Sequence, residues 1–140
     1  MPAIVKNIEV EDCLRTCLER EGYSLSPKRS LGQTGVDIVA TKDGNIFHIE
    51  AIGYKESGPA RAKDFYEAFF RTVSRLNDGA KHCILAVSSR AATGLPARAK
   101  QHRVAWLRIA EAFPELEIWL VDPAQRGYRK SSWREWAESA

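Results

Sequence analysis

Apolar residues recur along this chain with two different periods, and the switches between them mark its elements. From about Ile8 to Glu21, Val10, Cys13, Leu14, Cys17 and Leu18 fall three and four apart, one face of a helix that Gly22 is placed to end. The turn-rich stretch "SLSPKRSLGQTG" reads as a loop. Two apolar runs follow, Val36 to Ala40 and Phe47 to Ile52, and Asp43-Gly44 between them is the signal of a type I′ hairpin. A second helix is expected from about Arg61 to Asp78, with Phe65, Tyr66, Phe69, Phe70, Val73 and Leu76 as its apolar stripe and Asn77-Asp78-Gly79 as its stop. "HCILAVSS", 82 to 89, is a continuous apolar run rich in branched residues and reads as an interior strand. A third helix spans roughly 96 to 113, with Pro96 suited to its first turn, and "EIWLVD", 117 to 122, is another interior strand. The tail from 125 to 140 has room for a short helix at "SSWREWAES".

Strands alternating with helices in the second half imply crossover connections and parallel pairing. An antiparallel hairpin feeding such a unit makes a mixed β-sheet flanked by α-helices, so the expected class is α/β. At 140 residues the chain suits one domain, 1–140.

Composition narrows the setting without naming a role. An apolar fraction of 44% beside 28% charged residues is that of a soluble globular chain. No run approaches the roughly 18 apolar residues of a membrane span, so no membrane partner is expected. The N-terminus has no basic segment followed by an apolar run, so no secretory signal is expected. Cys13, Cys17 and Cys83 do not suggest a disulfide framework, and packing explains the first two. A cytoplasmic location follows as the expectation.

Charge is unevenly spread. Residues 1 to 60 carry seven basic against nine acidic side chains, whereas residues 61 to 140 carry fourteen against nine. Arg90, Arg98, Lys100, Arg103 and Arg108, with His102, form a block without an acid. Such a block is either an electrostatic footprint for nucleic acid or the solvated face of a helix. "RGYRKSSWREW" mixes cations with Trp133 and Trp136, which suits base stacking or the docking of a terminal helix.

Two carboxylates stand out because they interrupt the hairpin. Asp37 breaks the first apolar run and Glu50 the second, although strand interiors disfavour such residues. A two-residue turn at 43 and 44 pairs position 37 with position 50, which sets the acids opposite each other on one face. Two negative charges about 5 Å apart repel by roughly 3 kcal/mol at an effective dielectric near 20. A proton, a basic side chain or a divalent cation would relieve this, and hard oxygen donors suit Mg²⁺ or Mn²⁺. Alternatively, Asp37 caps a loop while Glu50 points to solvent.

Gly-Val-Asp37, a β-turn, and then Ile49-Glu50-Ala51 resembles the core of the PD-(D/E)xK nuclease superfamily, the restriction-endonuclease-like fold, especially its Holliday-junction-resolvase and small restriction-enzyme branches. The element order over about 8 to 122 is similar too. The resemblance implies a Mg²⁺-dependent nuclease acting on nucleic acid, with DNA as the expected partner and a homodimer as a common arrangement for cutting a duplex. It makes Asp37 and Glu50 the metal ligands, with the backbone carbonyl of Ala51 as a third. The family's lysine, two residues after the Glu, is Ile52 here. Family members relocate this lysine, and Lys55, beyond a Gly53 able to bulge the strand, and Lys63, which shares a helix face with Glu67 and Arg71, are the replacements in view. An exposed role without catalysis is the other reading for both lysines, and it fits Lys63 better than Lys55. His48, two residues before Glu50, faces the same way and is either a ligand or a hydrogen-bonded structural histidine. Gln33, in "LGQTG", could contact a phosphate or fill the loop, and one acid among Glu9, Glu11, Glu19 and Glu21 would be the resolvase-like extra ligand. Because of Ile52, a catalytically degenerate nuclease fold kept for binding or scaffolding is the second reading.

Overall fold

The computed structural model describes residues 4–28 and 37–138. The first helix, α1 (Asn7–Arg20), opens where the Glu9 carboxylate accepts the Lys6 backbone N–H at 2.7 Å, one half of a capping box. It ends as expected on Gly22, at φ +93°. Tyr23 N–H donates to the Leu18 carbonyl and Gly22 N–H to that of Glu19, the paired bonds of a Schellman cap.

The hairpin forms at the expected place. β2 (Ile38–Lys42) and β3 (Asn45–Ile52) are joined by Asp43 and Gly44 at φ +52° and +81°, the two positive values a type I′ turn requires. Ile38 pairs with Ile49, Ala40 with Phe47 and Lys42 with Asn45, so the register is the one a two-residue turn dictates. A two-residue strand, β1 (Ser24–Leu25), adds to β2 inside the stretch expected to be loop.

Beyond β3 the chain builds a parallel unit. α2 (Gly58–Val73) begins earlier than the apolar stripe suggests, because Ser57 Oγ accepts the Ala60 N–H at 3.2 Å and Pro59 sits in the first turn. A 3₁₀ turn, Ser74–Asp78, carries it to Gly79. β4 (Cys83–Ser88) and β5 (Leu116–Asp122) lie parallel to β3. The helix expected over 96 to 113 is two helices, α3 (Leu95–Gln101) and α4 (Arg103–Ala112), parted by the non-helical backbone of His102. The tail supplies a strand that the pattern hides, β6 (Gly127–Ser132), antiparallel to β5, before α5 (Trp133–Glu138). "GYRKSS" lacks an apolar run because it is an edge strand, free of the two-sided burial that makes β4 legible. The strand order β1-β2-β3-β4-β5-β6 gives a mixed sheet with helices on both faces, an α/β architecture. Among the described residues no helix is long and apolar enough to cross a membrane.

Each face of the sheet has its own core. Val10, Leu14 and Leu18 of α1 cover Ile38, Ala40, Ile49, Ala51, Ile84 and Trp119. On the other face Ile52, Leu85, Val87 and Ile118 meet Phe65, Trp106, Trp133 and Trp136 from the remaining helices. The expected stripe of α2 is rotated: Phe65 and Val73 are buried, as are Ala68 and Thr72, while Tyr66 and Phe70 are exposed. The tryptophans of the tail also settle one alternative. Trp133 and Trp106 stack with centroids 4.0 Å apart and each indole N–H donates to the other's backbone carbonyl, so these rings dock the terminal helix and are not available to bases.

Candidate active site

Strand alternation decides which way the acids face. Ile38 and Ile49 enter the core under α1, so their neighbours Asp37 and Glu50 belong to the opposite side, that of Ile52 and α2. Asp37 sits at the bend just before β2, one step beyond the Ile38–Ile49 pair, and the register places it across from Glu50. Its Oδ2 accepts the backbone N–H of Ala51 at 2.8 Å. A strand residue's N–H and C=O point to the same edge, so the Ala51 carbonyl is directed towards the Asp37 side as well. Glu50 is buried, at 4% exposure, and both acids have interaction partners.

A residue that the sequence pattern did not single out holds Asp37 in place. Arg15, 8% exposed, donates from Nη2 to the Asp37 carbonyl at 2.9 Å, from Nη1 to the Ser26 carbonyl at 2.6 Å, and from Nε to Glu11 at 2.8 Å. One planar guanidinium thus ties α1, β1 and the start of β2 together. The signal available in the sequence was the Glu11–Arg15 spacing of four, which does not reveal burial. Three of the four acids suggested as a further ligand have other work: Glu9 caps α1, Glu11 holds Arg15, and Glu21 accepts the Tyr128 hydroxyl; Glu19 stands near the end of α1. Among the described residues no group of three or more His, Cys, Asp and Glu side chains gathers around a point. Asp37, Glu50 and the Ala51 carbonyl could offer hard oxygen donors, the type that suits Mg²⁺ or Mn²⁺.

Ile52 is buried in the α2-side core and offers no charge. β3 ends at Ile52, just before Gly53. The N-terminal segment crosses there, Val5 and Tyr54 exchanging backbone hydrogen bonds of 3.1 and 2.7 Å, and a Cβ on residue 53 would lie 2.0 Å from the Val5 carbonyl oxygen. After Tyr54 the chain turns, and the Lys55 ammonium comes within 3.4 Å of Asp64 on α2. Lys55 and Ile52 line the same cavity, of about 210 Å³. Lys63 instead stands exposed on α2, 3.9 Å from Glu67, which also meets Arg71; the expected polar row exists.

His48 lies on β3 before Glu50, and its Nδ1 is buried without a hydrogen-bond partner. Burial holds its pKa below the ordinary histidine value. The basic block does not form one helix face. Arg90 lies exposed on the 3₁₀ turn Ser89–Thr93, Arg98 and Lys100 on α3, and Arg103 and Arg108 on α4. Arg98 donates to the Tyr66 hydroxyl at 3.0 Å and Arg103 to the Ala137 carbonyl at 2.5 Å, so two of the five cations have structural partners. Gln33 lies outside the described residues.

The chain matches no protein-family model, no curated protein and no solved structure.

Proposed function

We propose that this chain is a nucleic-acid-binding domain of the restriction-endonuclease-like fold that hydrolyses phosphodiesters with Mg²⁺ or Mn²⁺. The observation that carries this reading is the Asp37 carboxylate lying 2.8 Å from the Ala51 N–H, one step beyond the Ile38–Ile49 pair of the hairpin. Those two acids and the Ala51 carbonyl would hold the ion, which supplies a Lewis acid for the phosphate and a water of lowered pKa. Arg15 positions Asp37 by gripping its backbone carbonyl. Lys55, steered by Asp64 into the cavity that Ile52 lines, supplies the positive charge absent at position 52 and stabilises charge developing on the phosphate oxygens. Lys63 is the alternative cation, its ammonium exposed to solvent. The expected substrate is DNA, contacted also by Arg90 and Lys100, with a homodimer as the arrangement that cuts both strands. Asp37→Ala should abolish Mg²⁺-dependent cleavage of duplex DNA. Cleavage at the parental rate in that variant overturns the proposal.

The burial of Ile52 favours a second reading, a degenerate nuclease fold kept as a nucleic-acid-binding or protein-interaction module. Calorimetric titration with Mn²⁺ separates the two, since a scaffold shows no metal site that disappears in both Asp37→Ala and Glu50→Ala.

A further inference from the structure

The cavity beyond Ile52 brings together cations from three separate segments. Lys55 comes from the turn after β3, Arg61 from the first turns of α2, and Arg98 from α3; Asp64 is the acid among the lining residues. Three positive charges against one negative leave the lining at about +2, concentrated in about 210 Å³ of concave space. Apolar walls from Ile52, Phe65 and Val87 lower the local dielectric, which strengthens every charge interaction inside.

Both guanidinium groups are held in place before any ligand arrives. Arg61 Nη1 donates to the Lys55 and Glu56 carbonyls, each at 2.9 Å, and the group lies over the Tyr54 ring at 4.6 Å. Arg98 Nη1 donates to the Tyr66 hydroxyl, and the group lies over the Phe65 and Tyr66 rings at 5.2 and 5.3 Å. An arginine has five N–H donors, so each retains Nε and Nη2 to donate. Two arginines held in place in the lining of one small concavity are suited to a tetrahedral oxyanion, which accepts from several planar donors at once.

Charge selects among such anions. A diester phosphate carries one negative charge, whereas a phosphomonoester carries about −1.5 to −2 at neutral pH, close to the surplus of the lining. We propose that this cavity binds a phosphomonoester, the terminal phosphate of a nucleic-acid strand or of a free mononucleotide. The inference rests on the proposed function only for the strand as source; the cavity and its charge stand without the acid pair. On a strand, the site would seat a phosphorylated end at the Ile52 end of β3 and restrict the substrate class to phosphorylated termini.

The test uses the intact chain in buffer with a chelator, so that no divalent ion contributes. Calorimetry with inorganic phosphate, with mononucleotides phosphorylated at the 5′ or 3′ position, and with short oligonucleotides bearing a terminal phosphate or hydroxyl separates the sources. Binding of a phosphorylated oligonucleotide at least about tenfold tighter than its hydroxyl counterpart identifies a strand end; binding of the mononucleotide alone identifies the free nucleotide; either result supports the site. Arg98→Gln should weaken phosphate binding by about tenfold or more, the scale of a lost charge-assisted hydrogen bond. Asp64→Asn, which removes the opposing charge, should instead tighten it severalfold. Equal binding of phosphorylated and unphosphorylated ligands, or unchanged affinity in both variants, overturns the inference. Asp37→Ala should leave phosphate binding intact, so loss of cleavage and loss of this site are read independently.

Discussion

Gly53 and Gly44 are both required to be glycine, but for different physical reasons. At Gly44 the constraint is torsional: φ is +81° and nothing stands within 4 Å of the place an added methyl would take. At Gly53 it is steric, because the Val5 carbonyl oxygen occupies the place of a Cβ. Gly44→Ala should therefore cost about 1 kcal/mol, the penalty of a side chain in the left-handed region. Gly53→Ala should cost more, about 1–3 kcal/mol as an overpacking change, and should detach the N-terminal segment from Tyr54. Chemical denaturation of both variants, with hydrogen exchange at the Val5 and Tyr54 amides, checks the order; faster exchange in the Gly44 variant alone would refute it. The turn glycine was legible because Asp-Gly between apolar runs is local information. The steric one was not, since Val5 lies 48 positions away in sequence from the residue it touches only through folding.

At the scale of elements, β6 and α5 show how a polar segment is held. Ser131 is buried; its hydroxyl donates to the Ile118 carbonyl of β5 and accepts the Trp136 indole N–H at 2.9 Å. Ser131→Ala removes that acceptor and leaves a buried N–H without it, a loss of about 1–3 kcal/mol. Equilibrium unfolding measures the loss, and undiminished stability would show that Trp136 N–H finds another partner. The same segment explains why β6 escaped the periodicity. Its inward side chains are the ones that hydrogen-bond, so they are polar, and a pattern search for apolar alternation passes over them. The break at His102 escaped for the opposite reason, since helix formers on both sides conceal one non-helical residue.

For the whole molecule, burial of His48 and Cys83, paired across β3 and β4, and of Cys13 on α1 sets a pH window. His48 has its pKa lowered by burial, so below pH 6.5 the unfolded chain takes up a proton that the folded one resists, and stability falls as pH drops. Cys83 is pushed up to about 11, chiefly by burial, and Cys13 likewise. The unfolded thiols ionise from about pH 9, the folded ones later, so stability falls again as pH rises from about 9 towards 11. Thermal unfolding across pH should trace both limbs. His48→Gln should flatten the acid limb and Cys83→Ala the alkaline one, and limbs unchanged in these variants would assign them to other groups.

The linear pattern alone determined the α/β class, the helix up to Arg20 with its glycine stop, the parallel core strands and the register of the hairpin around Asp43-Gly44. Each of these rests on neighbours in sequence: periodicity, a cap or a turn. Tertiary structure decided the rest. Arg15 became the clasp on Asp37, Gly53 the passage for the N-terminal segment, and Lys55, Arg61 and Arg98 the walls of one cavity, because such roles depend on charges and backbones brought close from distant stretches of chain. Local sequence carries the energy of a turn or a helix face. It carries no record of which remote carbonyl or guanidinium will arrive beside it.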